Sequence, residues 1–132
     1  MNFTPMRQRV YREIAVNGSI GAYEIAHNLS SLGKQVNVTS IYRALDFLLS
    51  GGLIYKVNLS KKFAVAPLAE AVPSAVNMVL ICKATGLVTK VYSSELEEHI
   101  AQLTRKMGFS MTRAVVEIEG DGNRPQLARS AS

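Results

Sequence analysis

Residues Asn37 to Gly52 read Asn-Val-Thr-Ser-Ile-Tyr-Arg-Ala-Leu-Asp-Phe-Leu-Leu-Ser-Gly-Gly, a run that carries its own start and stop signals. Asn37 suits an N-cap, where its side-chain oxygen accepts from an orphan amide of the first turn. Gly51 suits the stop, because the residue past a last turn often needs positive φ. Between them Ile41, Leu45, Leu48 and Leu49 fall on one stripe at helical spacing. Thr39, Ser40, Tyr42, Arg43 and Asp46 occupy the opposite face. A short amphipathic helix with hydroxyls, a Tyr and an Arg near its start suits insertion into a DNA major groove. Its neighbours in the chain test that reading.

Two helices are expected before it. Thr4-Pro5 opens the first, with Thr4 as N-cap and Pro5 at the first helical position, and Asn17-Gly18 closes it. Met6, Val10 and Ile14 form its apolar stripe. Arg7, Arg9 and Arg12 fall largely off that stripe, and Arg7 joins the candidate DNA contacts. The second helix is expected from about Ala22 to Leu32, with Ala22, Ile25, Ala26, Leu29 and Leu32 inside and Gly33 as its stop. After Gly52 the pattern turns to period two. Leu53, Tyr55 and Val57 alternate with Ile54 and Lys56, Asn58 to Lys62 make a polar turn, and Phe63 to Ala66 return. Three helices followed by a hairpin with a basic tip predict a winged helix-turn-helix over residues 1–66. In that arrangement the third helix reads bases and the wing's Lys61 and Lys62 reach phosphate.

Charge agrees with this reading. Residues 1–66 hold eight Lys or Arg against three Asp or Glu, whereas residues 67–120 hold five against six. The basic excess thus sits in the half that carries the helix, as a polyanion-facing module requires.

Residues 67–75, with two prolines and small side chains, read as a hinge. Residues 76–120 read as a small α/β domain. Strands are expected at Met78–Lys83, Leu87–Tyr92 and Met111–Glu119, the last with Val116 and Ile118 on one side. Between the second and third, Ser94-Glu95-Leu96-Glu97 reads as a capping box. The helix it starts carries Leu96, Ile100, Leu103 and Met107 on one face and ends at Gly108. Three strands and one helix cannot cover both faces of such a sheet, so pairing with a second copy is expected. The fold class is therefore α+β, a winged helix-turn-helix followed by a small α/β dimerisation domain. Residues 121–132 are polar and expected to be disordered.

No apolar run approaches the roughly 20 residues of a membrane span. Met1 to Arg12 is polar and basic, without the apolar core of a secretory signal. A single cysteine, Cys82, excludes an internal disulfide and fits a reducing compartment, so a cytoplasmic location is expected. No Gly-rich phosphate loop, no His-Glu-x-x-His and no nucleophile with a matching base is present, so an enzyme is not expected.

The chain resembles the ferric uptake regulator family, in particular its zinc uptake regulator branch. The resemblance runs from Thr4-Pro5-Met6-Arg7 to Gly120. It is carried most specifically by Ser40 to Leu49, Gly52 to Val57, Leu80-Ile81-Cys82 and Lys106-Met107-Gly108-Phe109. It implies an N-terminal winged helix, a hinge, a C-terminal dimerisation domain and metal-gated repression of transcription. The family's DNA-contacting Tyr and Arg fall on Tyr42 and Arg43.

The metal half of that pattern is missing. The first of two implied Cys-x-x-Cys pairs reads Cys82-Lys83-Ala84-Thr85, and the second reads Asp121-Gly122-Asn123-Arg124. A Cys₄ zinc site needs four thiolates. Sensing ligands implied by the resemblance fall on Tyr55, Ala66, Lys90 and Ala114, and an implied His-rich segment reads Ala75-Val76-Asn77-Met78-Val79. Only Glu97 matches a carboxylate ligand of the ferric branch. No cofactor is therefore expected. Zinc is kept in view only at an intersubunit site using His99, Glu95, Glu98 or Cys82.

The expected function is that of a dimeric, sequence-specific DNA-binding regulator, a repressor by resemblance, acting without the family's metal sites. Its candidate DNA contacts are Thr39, Ser40, Tyr42, Arg43, Lys61, Lys62 and Arg7. Arg43 suits either a guanine edge or a phosphate, and Thr39 and Ser40 suit a phosphate or a base edge. The partners are a double-stranded operator and a second copy of the chain. Two other readings stand beside this one: a zinc- or iron-responsive regulator using unfamiliar ligands, and a non-DNA-binding partner that forms a heterodimer with a metal-sensing relative.

Overall fold

The computed structural model of the protein describes residues 3–30, 35–67 and 74–122. Its contacts divide the chain into two compact units, residues 1–66 with 83–87 and residues 67–82 with 88–132. Residues 68–73 of the expected hinge and 123–132 of the expected tail lie outside the described residues.

The first unit is built on three helices. Helix α1 spans Pro5–Asn17, and Thr4 caps it by accepting from the Arg7 amide at 3.3 Å. Gly18 ends it at φ 80°, a left-handed conformation that a side chain would strain. Helix α2 spans Ala22–Leu29 and α3 spans Val38–Ser50. The α3 start is as the sequence implies, with Asn37 accepting from the Thr39 amide at 2.8 Å.

Two helix ends differ from expectation. At the end of α3, Gly51 is right-handed at φ −81°, and Gly52 takes the positive φ of 72°. The Gly51 amide still donates to Phe47 as part of the last turn, so the reversal falls one residue later. Helix α2 ends at Leu29, short of the expected Leu32. The Ser30 hydroxyl donates to the Ala26 carbonyl at 2.6 Å and accepts from the Val36 amide at 2.9 Å, a side-chain bonding pattern that competes with a further helical step. Leu32 and Gly33 lie outside the described residues.

The apolar stripes converge as their spacing requires. Val10, Ile14, Ile25, Ile41, Leu45 and Leu48 are fully buried together, with Ile20 and Phe63 closing the cluster from the sheet. Burying each such side chain is worth roughly 1.5–3 kcal/mol, which makes this cluster the main stabilising feature of the unit. Between α1 and α2 the Asn28 amide donates to the Glu13 carboxylate at 3.0 Å and joins the two helices at their polar edge.

The sheet of this unit has three strands: β1, Ser19–Ile20; β2, Ile54–Lys56; and β3, Phe63–Val65. Their order is β1-β3-β2, all antiparallel, with Ile20 opposite Phe63 and Tyr55 opposite Ala64. The hairpin of β2 and β3 was expected, although each strand has only three residues. The strand β1 was not expected, since two residues give no readable period. Ile54 is buried and Tyr55 half-buried, while Val57, just past β2, is fully buried and Lys56 exposed.

The second unit holds β4, Val76–Cys82; β5, Val88–Val91; helix α4, Ser94–Lys106; and β6, Ala114–Gly120. The sheet order is β5-β4-β6. The β4–β5 pair is antiparallel, whereas β6 lies parallel to β4 with Val76 opposite Ala114 and Leu80 opposite Ile118. A parallel return needs a crossover, and α4 supplies it.

The capping box expected at Ser94 is displaced by one residue. Ser93 caps α4 and accepts from the Leu96 amide at 3.2 Å. Glu97 instead accepts from the Ser74 hydroxyl at 3.0 Å and from the Ala75 amide at 3.3 Å. The expected apolar face of α4 is largely uncovered: Leu103 and Met107 are exposed, and no residue of α4 is buried. On β6, Val116 is half-buried while Ile118 is exposed.

Candidate nucleic-acid interface

Helix α3 buries Ile41, Ala44, Leu45 and Leu48 against the core, which turns Thr39, Tyr42, Arg43 and Asp46 outward. The orientation follows from helical geometry, since residues three and four apart share a face. Tyr42 and Arg43 are therefore exposed because the stripe beside them is buried.

Three of the seven candidate contacts meet in one place. Arg7, Ser40 and Arg43 line a groove of about 220 Å³ between the start of α1 and the start of α3, together with Thr4, Met6 and Ala44. Among the described residues, both charged side chains on its walls are cations. Arg7 does not lie slack there. Its guanidinium carbon stands 3.6 Å from the centroid of the Phe47 ring, a close cation–π stack. Phe47 is itself held edge-on by Phe3 at 6.2 Å, and Phe3 meets Tyr11 at 6.3 Å in the same manner.

Tyr42 has a different neighbour. The ring of Tyr23, on α2, meets it edge-to-face with centroids 6.5 Å apart and planes at 84°. Tyr23 is 72% exposed and Tyr42 41% exposed, so the pair forms a small aromatic platform on the outer face of the unit. Sequence reasoning did not single out Tyr23. Its signal was an exposed-phase aromatic in the first turn of α2, but only the crossing of α2 and α3 gives that position meaning.

Thr39 is exposed in the first turn of α3, and its amide is already taken by the Asn37 cap. Lys61 and Lys62 are exposed at the tip of the β2–β3 hairpin. The turn is closed by the Val57 amide donating to Lys62 and the Lys61 amide donating to Val57, both at 2.8 Å. Lys61 sits at φ 64°, a left-handed backbone conformation that carries a conformational cost for a non-glycine residue. Lys56, nearer the core, lies 5.6 Å from the Phe63 ring centroid.

The metal-type residues are scattered by comparison. His27 and His99 are exposed on α2 and α4. Glu98 pairs with Arg105 at 3.3 Å, and Glu97 is engaged with Ser74 and Ala75. Cys82 is half-buried at the end of β4. Among the described residues no three His, Cys, Asp or Glu side chains come together in a way that would hold a metal ion. Nor is any helix among them long and apolar enough to cross a membrane.

Known proteins share this arrangement. The model of the ferric uptake regulator family matches residues 1–119. The zinc uptake regulation protein of Escherichia coli K12 is 31% identical over 121 residues, which cover 91% of this chain and 70% of that protein. The ferric uptake regulation protein of Pseudomonas aeruginosa is 26% identical over 92 residues, 70% of this chain and 66% of that one. Among solved structures, a zinc uptake regulator complexed with zinc and DNA superposes with a TM-score of 0.67 at 29% identity, covering 93% of this chain and 82% of the other. The family match, over residues 1–119, extends through both units. The chain belongs to the ferric uptake regulator family of DNA-binding transcription regulators, on its zinc uptake regulator side.

Proposed function

We propose that the protein is a dimeric, sequence-specific repressor whose DNA binding does not depend on the family's metal sites. The observation that carries this reading is the exposure of Tyr42 and Arg43 on α3 beside a groove walled by Arg7 and Arg43. Two copies would place their α3 helices in successive major grooves of a pseudo-palindromic operator, with Lys61 and Lys62 on the flanking backbone. Occupancy of the operator would then exclude the transcription machinery. The exposed Leu103 and Met107 of α4 and Val115 and Ile118 of β6 support pairing through the second unit, since apolar side chains in such number gain by being covered.

A metal effector is implied by the family, and the residues present do not fit it. A zinc site needs three or four nitrogen, sulfur or carboxylate donors in tetrahedral array, and the whole chain holds one cysteine and two histidines. Lys90 stands where the zinc branch would have a carboxylate, and its cation opposes a bound ion. Glu97, the one matching carboxylate, is occupied by hydrogen bonds to Ser74 and Ala75.

A gel-shift assay with purified protein tests the proposal. Binding to duplex DNA that persists in chelator and is unchanged by added zinc supports it. Binding lost in chelator and restored by zinc would establish the metal-responsive alternative. Failure to bind DNA alone, with co-purification of a metal-sensing relative, would establish the partner alternative.

A further inference from the structure

Arg7 lies on α1, outside the helix proposed to read DNA, yet both its backbone and its side chain are held. Its amide is fixed by the Thr4 cap at 3.3 Å, and its guanidinium is stacked on Phe47 at 3.6 Å. Phe47 is braced in turn by Phe3, whose carbonyl accepts from the Gln8 side chain at 3.1 Å. Stacking uses a face of the guanidinium plane, whereas oxygen anions are bound through its in-plane N–H groups. A guanidinium fixed in this way loses little further freedom when it takes an anion.

The groove beside it has the matching character. Ser40 supplies a hydroxyl, Arg43 lines the α3 side, and among the described residues no carboxylate lines it. Ser40 lies in the first turn of α3, which has no acidic residue to oppose an anion.

Resting on the DNA-binding reading above, we propose that this groove seats one backbone phosphodiester of the operator. Arg7 and the Ser40 hydroxyl hold the phosphate, and Phe47 acts as a positioning residue that keeps the Arg7 guanidinium in place. Arg43, on the α3 side, is left to reach a base edge. The seat fixes the register of α3 on the duplex, and Tyr42 and Arg43 read sequence from that register. A division between a positioning cation and a reading cation follows, and the two differ in measurable ways.

The test uses the full chain and two probes: a duplex enriched by the wild-type protein from a random-sequence pool, and an unselected duplex of equal length. Affinity is measured against potassium chloride concentration for Arg7→Gln, Phe47→Leu, Phe47→Tyr and Arg43→Gln, and each variant is melted to confirm folding. Arg7→Gln should make the plot of log affinity against log salt shallower by about 0.9 per bound subunit. It should weaken both duplexes by the same factor. Phe47→Leu should reduce the slope in the same direction, and Phe47→Tyr should restore it, which a merely structural role would not do. Arg43→Gln should instead lower the ratio of selected to unselected binding. An unchanged slope in folded Arg7→Gln overturns the seat while leaving the DNA-binding reading intact, and so does a loss confined to the selected duplex. Saturable binding of inorganic phosphate by the DNA-free protein, abolished by Arg7→Gln, would assign the groove to a free anion and overturn it. If the wild-type chain enriches no duplex, the DNA-binding reading fails and the seat with it. Should Phe47→Leu not fold, Arg7→Gln and Phe47→Tyr decide alone.

Discussion

The Ser74 hydroxyl donates to the Glu97 carboxylate across 3.0 Å, linking the start of the second unit's chain to its helix. The other carboxylate oxygen accepts from the Ala75 amide at 3.3 Å, and the Ser74 hydroxyl itself accepts from the Val76 amide at 3.1 Å. One side chain thereby anchors the segment that leads into β4. Glu97→Ala removes both acceptors, and a destabilisation of about 1–2 kcal/mol is expected. Urea unfolding followed by far-ultraviolet circular dichroism measures it. Added zinc should not raise the wild-type midpoint, because the carboxylate is already engaged.

The displaced cap of α4 gives a sharp comparison between adjacent serines. Ser93 holds the Leu96 amide, so Ser93→Ala should cost about 1 kcal/mol. Ser94 is exposed in the first turn and makes no cap, so Ser94→Ala should change stability by less than about 0.5 kcal/mol. Thermal melting of the two variants in one buffer checks both. Equal effects, or the reverse order, would return the cap to Ser94.

On the reading face, Arg43→Ala should lose about 1–3 kcal/mol of specific binding if the guanidinium pairs with a base. Tyr23→Leu removes the edge contact to Tyr42, and a smaller loss of about 0.5–1.5 kcal/mol is expected. Fluorescence anisotropy with selected and unselected duplexes separates them: both losses should fall mainly on the selected one.

At the wing tip, stability and binding should move in opposite directions. Lys61 occupies a left-handed backbone conformation at φ 64°, which glycine adopts without a Cβ clash. Lys61→Gly should therefore stabilise the fold by about 0.5–1 kcal/mol. It should also weaken DNA binding evenly across sequences, as loss of a phosphate contact does. Denaturant unfolding and a salt titration of DNA affinity give the two signs.

How much of this was legible in the chain depended on how local the cause was. Thr4, Pro5 and Asn37 act within one helical turn, and both N-termini of α1 and α3 were readable from them. The buried stripe of α3 was equally clear, because Ile41, Leu45 and Leu48 repeat at the spacing of a single helix face. The displaced α4 cap arose from a partner far along the chain: the Ser-x-x-Glu pattern fits Ser94 and Glu97, but Glu97 is drawn to Ser74 and Ala75. The strand β1 exists only because Phe63 and Ala64 lie beside Ser19 and Ile20. The same reason hid the organisation of the interface. Tyr42 and Arg43 could be named from α3 alone, whereas Tyr23 against Tyr42 and Arg7 over Phe47 require helices to cross. Adjacent Gly51 and Gly52 gave no local basis for choosing which would take positive φ.

The parallel pairing of β4 with β6 also orders events during synthesis. All three strands of the first sheet have left the ribosome once Val65 has emerged. Strand β4 must wait through a hairpin and the whole of α4 before Ala114 to Gly120 can lie beside it. Vectorial synthesis, with domains folding as units, therefore lets the winged helix form first. The nascent chain would hold a formed reading head while the central strand of the second sheet still lacks one neighbour.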